Sequence, residues 1–125
     1  MKEIIGINHI GIRVTNLESA REFYERLGFI FIIGPIGPEP VAIMEHPSGV
    51  NINLILNANT QTDENILMDV TDKYPGYTHI ALDVNNIKEG LIYSDLPAVH
   101  GQVFAPAKPA FPTSVWVRYC QNQCR

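Results

Sequence analysis

The sequence is short of cysteine, has no cluster of basic residues and lacks a long apolar run, and each shortage excludes a class of protein. Two cysteines, Cys120 and Cys124, are too few for the disulfide framework of a small secreted domain. Nine Lys and Arg residues stand against thirteen Asp and Glu, giving a net charge of -4, and no two basic residues are adjacent. Nucleic acids and anionic membranes are bound through clustered positive charge, so neither is an expected partner.

No apolar stretch approaches the roughly 20 residues that span a bilayer. Polar residues also interrupt the segment before Arg13, where a secretory leader would need a continuous apolar core, so we expect a cytoplasmic protein. The balance of 46% apolar and 18% charged residues is typical of a globular chain, and 125 residues suffice for one hydrophobic core. Residues 1–125 are accordingly predicted to form a single domain.

The strongest pattern is an internal repeat at a constant offset, 79 − 9 = 70 residues. Residues 7–18, INHIGIRVTNLE, align without gaps on residues 77–88, YTHIALDVNNIK. The alignment places His9 on His79 and Val14 on Val84. A matched histidine inside a matched strand pattern indicates two related modules rather than a coincidence.

Each copy of the repeat begins with an alternation of period two, which predicts a strand. The apolar faces consist of Ile10, Ile12 and Val14 in the first copy and of Ile80, Leu82 and Val84 in the second. His9 and His79 lie on the opposite face of their strands. We expect a helix to cover each apolar face, which leaves both histidines directed toward whatever the uncovered face encloses.

A helix is predicted directly after the first strand. Thr15 and Glu18 match the capping box, in which a hydroxyl and a carboxylate satisfy amide donors at a helix start. Gly28 can adopt the left-handed conformation that ends a helix. The residues at helical spacing between these signals are Leu17, Ala20, Phe23, Tyr24 and Leu27. In the second copy Pro97 stands where Leu27 stood, which predicts a shorter helix and a weaker module.

Three further strands complete the first module. Phe29–Ile33 is predicted as a buried strand ended by the Gly- and Pro-rich loop 34–38, and Val41–Glu45 as the next strand. After a turn at 47–49, residues 50–57 alternate, with Asn51, Asn53 and Asn57 on a face suited to hydrogen bonding. The β-α-β-β-β module is assigned to residues 5–58, a linker to 59–75 and a degraded second module to 76–125.

The repeated β-α-β-β-β unit resembles the vicinal-oxygen-chelate superfamily, which includes glyoxalase I, the extradiol dioxygenases and the fosfomycin- and bleomycin-resistance proteins. Four segments in order carry the resemblance: residues 8–14 (NHIGIRV), 23–29 (FYERLGF), 46–54 (HPSGVNINL) and 78–84 (THIALDV). It implies an α+β fold in which two modules form a cup-shaped mixed sheet. The second module is expected to be irregular or truncated at its C-terminal strand.

Members of this superfamily commonly hold a divalent metal with the first-strand residue and the last-strand carboxylate of both modules. The resemblance therefore assigns His9 and His79 as metal ligands, for Zn, Ni, Fe or Mn. Asn53 stands where metal-binding relatives usually have Glu, and an amide is a neutral and weaker donor than a carboxylate. The second Glu is also missing, since it would fall just beyond Arg125, after a penultimate strand at residues 114–118.

Two functions stay open, with a third possibility behind them. The first is a metal-dependent lyase, isomerase or dioxygenase acting on a small molecule in the cup, with no proton-transfer base identified. The second is a metal-free protein that sequesters an amphipathic ligand, as bleomycin-resistance proteins do, with Asn53, Asn51 and Arg13 as ligand-binding residues. The third is a dimerising remnant without a site. An unpaired sheet edge in the second module favours a homodimer.

Other chemically notable residues have simpler interpretations. His46 and His100 are expected at the surface, although His100 or Cys124 could replace a lost ligand, and Glu45 and Asp83 are ordinary strand-end carboxylates. The two cysteines could form a redox pair or half of a zinc site, but at a polar terminus they are simply two thiols. Apolar pocket walls are expected from Phe31, Met44, Tyr77 and Trp116 if their faces point inward.

Overall fold

A computed structural model of the protein describes residues 2–61, 65–67, 69–85, 101–104 and 114–119, the last two ranges as backbone strands only. The contacts within the chain divide it into two units, Met1–Thr60 and Gln61–Arg125. Each unit contains its own sheet. No helix in the described ranges is long and apolar enough to cross a membrane.

The first unit is a β-α-β-β-β module built on one mixed sheet. Its elements are β1 (Ile10–Arg13), α1 (Leu17–Arg26), β2 (Ile30–Ile36), β3 (Val41–Glu45) and β4 (Asn51–Ile55). The strand order is β1-β4-β3-β2, with β1 parallel to β4 and the other neighbours antiparallel. A parallel pair needs a long crossover connection, which α1 and the β2–β3 hairpin provide here. The predicted module and its α+β class are confirmed.

The helix begins one residue later than the capping pattern predicts. Asn16, in extended backbone geometry, is the N-cap, and its side-chain oxygen accepts a 2.9 Å hydrogen bond from the Ser19 amide. Asparagine and threonine are both good caps, so adjacent candidates compete and the backbone geometry selects one. The prediction that Thr15 caps the helix in a box with Glu18 is therefore wrong by one position.

The helix ends at Gly28, as predicted. Gly28 has a φ of +88°, and its amide donates to the Glu25 carbonyl at 2.9 Å while the Phe29 amide donates to the Tyr24 carbonyl at 3.0 Å. These two bonds define the Schellman motif, which satisfies carbonyls that the helix end would leave unpaired. The motif's usual apolar contact is the edge-to-face packing of Tyr24 on Phe29, with ring centroids 5.5 Å apart.

The core lies between α1 and one face of the sheet. Leu54 and Ile52 of β4 lie opposite Ala42 and Met44 of β3, and all four side chains are buried. The remaining core residues are Val14, Ala20, Tyr24 and Phe29. The odd-numbered residues of β3 and β4 lie on the other face and are only half-buried or exposed, as the period-two pattern predicts.

The second strand differs from its prediction in length and burial. Instead of ending at Ile33, β2 continues through Gly34 and Pro35 to Ile36, and its register on β3 shifts twice. It is one of the two edge strands of the sheet, where proline and irregular pairing are tolerated because no second neighbour needs the missing amide. An edge position also explains why most of this apolar strand is exposed rather than buried.

The described strands of the second unit form a different sheet. β5 (Ile80–Asp83), β6 (Gly101–Phe104) and β7 (Ser114–Tyr119) pair in the order β5-β7-β6, all antiparallel. The strand that begins the second module thus has an antiparallel neighbour, whereas β1 has a parallel one. The second module is irregular, as expected, and the helix predicted after β5 lies outside the described residues.

A short turn precedes β5 in the predicted linker. The Asn65 amide donates to the Asp69 carboxylate at 2.9 Å, and the Asp69 amide donates to the Asn65 carbonyl at 2.8 Å. Leu67 lies within this turn and packs over Gly76, where an added Cβ would come within 2.9 Å of the leucine methyls. Leu67 of the linker therefore contacts the segment that leads to β5.

Candidate functional site

The candidate site is the face of the first sheet that α1 does not cover, called here the helix-free face. Strand alternation and register assign to it Gly11 and Arg13 of β1, Asn51, Asn53 and Ile55 of β4, Val41, Ile43 and Glu45 of β3, and Ile30, Ile33 and Ile36 of β2. Polar side chains concentrate on β1 and β4, and aliphatic ones on β2 and β3. This division gives the helix-free face a hydrogen-bonding half and an apolar half.

Asn53 lies at the boundary between the two halves. Its register partners are Gly11 on β1 and Ile43 on β3, and its side chain is half-buried. Gly11 has no side chain, and Ile55 Cδ1 would lie 3.4 Å from a Cβ placed there, so aliphatic groups of Ile55 and Ile43 border the amide. A carboxamide in this setting can both donate and accept a hydrogen bond to a ligand without bringing a charge.

Asn51 and Glu45 are register partners, and Asn51 lies two residues before Asn53 on the same face of β4. The Asn51 side chain donates to the Gly49 carbonyl at 3.4 Å, so the β3–β4 turn holds it. Glu45 ends β3 with an exposed side chain and has Ile30 as its register partner on the other side. The strand-end position predicted for Glu45 is correct, and the register places Glu45 beside Asn51, one of the candidate ligand-binding residues.

Arg13 belongs to a three-residue network at the opposite end of the helix-free face. Its Nε donates to Asn57 Oδ1 at 2.8 Å, its Nη2 lies 3.3 Å from Glu39 Oε1, and Asn57 Nδ2 donates to the same carboxylate oxygen at 3.0 Å. Both charged side chains are more than half exposed. The positive charge of Arg13, a predicted ligand-binding residue, is therefore already opposed by Glu39, which lies in the turn between β2 and β3.

His9 lies one residue before β1 and is exposed. Extending the β1–β4 register by one residue places it beside Asn51. Its Nδ1 is 2.8 Å from Asn8 Oδ1, and because a carbonyl oxygen only accepts, Nδ1 carries the proton. In the neutral ring Nε2 then carries the lone pair and can coordinate a metal or accept a hydrogen bond. Metal-binding histidines have the same arrangement, because their other ring nitrogen donates to a neighbouring group.

His79, the equivalent residue of the second unit, has the same local arrangement. Its Nδ1 is 3.0 Å from the hydroxyl of Thr78, and Thr78 is the repeat partner of Asn8. A hydroxyl can donate or accept, so this contact does not select the tautomer as Asn8 does. The sequence repeat is thus preserved in the hydrogen bonding of both histidines.

A metal site needs more donors than the described residues bring together. In those ranges no three His, Cys, Asp or Glu side chains are grouped as metal ligands. At the position of the usual glutamate, Asn53 offers a neutral amide oxygen, which leaves a dication's charge uncompensated. The described residues therefore do not fit a complete divalent-metal site, and His100, Cys120 and Cys124 lie outside the described residues.

His46 lies in the turn after β3 and is partly exposed, but it also has structural contacts. The His46 ring is half-buried against Phe29, with centroids 5.2 Å apart, and its Nδ1 accepts a 3.1 Å hydrogen bond from the Ser48 amide. The carbonyl of His46 also accepts from the Gly49 amide at 2.8 Å. His46 joins the β3–β4 turn to the end of α1 and is a structural residue.

Two of the predicted apolar pocket walls lie on the helix side of the sheet instead. Met44 is fully buried in the core, and its register partner Phe31 lies under the Arg21 guanidinium of α1, 4.5 Å from the ring centroid. Tyr77 is fully exposed, and the side chain of Trp116 lies outside the described residues. The aliphatic wall comes from isoleucines that sequence reasoning missed: Ile30, Ile33, Ile36 and Ile43.

Comparison with known proteins matches most of the chain to a family model. A family model described as the Glyoxalase/Bleomycin resistance protein/Dioxygenase superfamily matches residues 6–91. No curated protein and no solved structure shows significant similarity to the chain. The matched range includes β1 to β5, and therefore both histidines of the repeat and the entire helix-free face.

Proposed function

Since the chain belongs to the glyoxalase/bleomycin resistance protein/dioxygenase superfamily, we propose that it binds a small amphipathic molecule on the helix-free face. In this proposal the protein sequesters its ligand and performs no metal chemistry with the first module. The observation that carries the proposal is Asn53, a neutral amide between Gly11 and Ile43 at the position where metal-binding relatives have Glu. An amide there suits hydrogen bonding to a ligand better than it suits a dication.

The two halves of the helix-free face supply different parts of the binding free energy. On the apolar half, Ile33 and Ile36 are 47% and 46% exposed, so a ligand can remove aliphatic surface from water there. Each Å² of apolar surface removed contributes about 25 cal/mol. On the polar half, Asn53 and Asn51 provide directional hydrogen bonds that orient the ligand. Small-molecule sites typically combine these two features.

A neutral apolar dye, N-phenyl-1-naphthylamine, tests whether the helix-free face binds such molecules. The dye's fluorescence is expected to rise with the wild-type chain and to rise less with Ile33→Gln, which removes aliphatic surface from the face. The matched control is Ile66→Gln, since Ile66 is 58% exposed but lies in the turn of the second unit. Equal binding by wild type and both variants, or no binding at all, would contradict the proposal.

A metal-dependent lyase, isomerase or dioxygenase is the second candidate function. The observation that favours it is the Asn8–His9 hydrogen bond, which presents Nε2 as a lone-pair donor, together with its counterpart at Thr78 and His79. In this candidate His9 and His79 are the metal ligands, with further donors still to be found. Such a metal would supply Lewis-acid chemistry at the ligand's oxygen atoms.

Metal analysis separates the two candidate functions. Protein purified without chelator is expected to contain far less than one Zn, Ni, Fe or Mn per chain. Dye binding is expected to be unchanged in the His9→Ala/His79→Ala double variant. One equivalent of metal in the wild type that is lost from the double variant would instead establish the metal-dependent candidate.

A further inference from the structure

We propose that Glu45 recognises a positively charged group on the ligand, which makes an amphipathic cation the preferred ligand class. This inference rests on the proposed function, because it concerns the same helix-free face. It identifies a specificity residue that the superfamily resemblance does not include among the candidate site residues.

The charges on the helix-free face point to a cation. Arg13 is the only cationic Lys or Arg side chain there among the described residues, and Glu39 and Asn57 both bind it. Glu45 is at the opposite end of the face and forms no ion pair with another described residue. Counted over the described residues, the Lys, Arg and Glu side chains of the face therefore supply one paired positive charge and one negative charge without an ion pair. An anionic ligand would meet no available cation on the described part of the face.

The position of Glu45 fits this role. Its register partners are Asn51 on the polar side and Ile30 on the apolar side, and Ile30 is 56% exposed. A ligand whose apolar body covers Ile30 and Ile33 would place its end beside the carboxylate. Asn51 could accept a hydrogen bond from an ammonium group at the same time. The carboxylate and two exposed isoleucines thus form one continuous surface.

Three ten-carbon amphiphiles with the same chain test the charge preference: decylamine and decanoate below their micelle concentrations, and decanol below its solubility limit. Binding is followed at neutral pH by NMR of isoleucine methyl groups, which also shows where each probe binds. We expect decylamine to bind most tightly, decanol less tightly and decanoate least, with shifts at Ile30 and Ile33. The preference for the amine should shrink as salt is raised, because ions screen an exposed charge.

Glu45→Gln removes the charge while keeping the size of the side chain. We expect it to weaken decylamine binding about two- to fivefold, the effect of an exposed ion pair, and to leave decanol binding unchanged. Glu18→Gln is the matched control, since Glu18 lies in the first turn of α1, away from the helix-free face, and changes the net charge equally. It should leave the binding of all three amphiphiles unchanged.

The outcomes distinguish this inference from the proposed function. If none of the three amphiphiles shifts the isoleucines of the helix-free face, the proposed function fails. If all three bind equally, or if Glu45→Gln and Glu18→Gln weaken decylamine alike, the face binds amphiphiles and only the role of Glu45 is wrong. Isoleucine shifts that depend on protein concentration without any amphiphile would assign the face to a second copy of the chain and overturn the inference.

Discussion

Gly34 occupies a position where a larger residue would collide with the backbone of the neighbouring strand. A Cβ at Gly34 would lie 2.4 Å from the Ala42 Cα and 2.8 Å from the Val41 carbonyl oxygen, and the φ of Gly34 is +137°. We expect Gly34→Ala to lower the free energy of unfolding by about 2–4 kcal/mol, measured by urea denaturation.

Gly49→Ala is the control for Gly34→Ala. Gly49 also has a positive φ, +91°, but a Cβ at Gly49 would have no other atom within 4 Å. Its substitution should cost only the backbone strain, about 1–2 kcal/mol. Equal losses in the two variants would show that strain alone, without the collision against β3, determines the effect at Gly34.

Two adjacent residues compete to cap α1, and a pair of variants separates them. Asn16→Ala removes the side-chain acceptor of the Ser19 amide and should lower the free energy of unfolding by about 1 kcal/mol. Thr15→Ala should cost less, because Thr15 is not the N-cap. If urea denaturation gave a larger loss of unfolding free energy for Thr15→Ala than for Asn16→Ala, Thr15 would be the N-cap, as the sequence pattern predicted.

For the residues of the candidate site, strand alternation predicted the face on which each side chain lies but not its contacts. It correctly separated Asn51 and Asn53 from Ile52 and Leu54, because side chains on a strand alternate whatever its neighbours are. It could not reveal that Arg13 is bound by Glu39 and Asn57, which are 26 and 44 residues away in the sequence. Contacts of that kind depend on which strands become neighbours.

The alternation along β4 predicts opposite consequences for two adjacent substitutions. Leu54 is fully buried in the core, so Leu54→Ala should lower the free energy of unfolding by about 2–5 kcal/mol. Asn53→Ala, on the helix-free face, should cost less than about 1 kcal/mol in the same urea measurement. A large loss for Asn53→Ala would indicate that its amide is a structural group and not one available to a ligand.

At the scale of elements, the inner strand β3 was easier to predict than the edge strand β2. Val41–Glu45 was predicted with its observed bounds because β3 lies inside the sheet and its apolar pattern is complete. For β2, Gly34 and Pro35 indicated a loop, yet an edge strand continues through them. The exposure of its isoleucines follows from the strand order, which the local pattern does not contain.

The two modules show how far a sequence repeat determines a whole molecule. The repeat correctly indicated a strand directly after each histidine, since the same alternation occurs in both copies. It did not indicate that β5 pairs with an antiparallel neighbour where β1 has a parallel one. Pairing depends on the later strands of each module, and there the two halves of the sequence no longer match.

Val14 and Val84 occupy equivalent positions in the two modules and provide a matched test of their unequal packing. Val14 is fully buried and its amide donates to the Ile55 carbonyl at 2.9 Å, whereas Val84 is only half-buried. Val14→Ala should therefore lower the free energy of unfolding by about 1.5–3 kcal/mol and Val84→Ala by less than about 1 kcal/mol. Circular dichroism in urea measures both losses, and the fluorescence of Trp116, the one tryptophan, follows the second unit separately. A loss for Val84→Ala as large as that for Val14→Ala would mean that the second module is packed as tightly as the first, despite its different sheet.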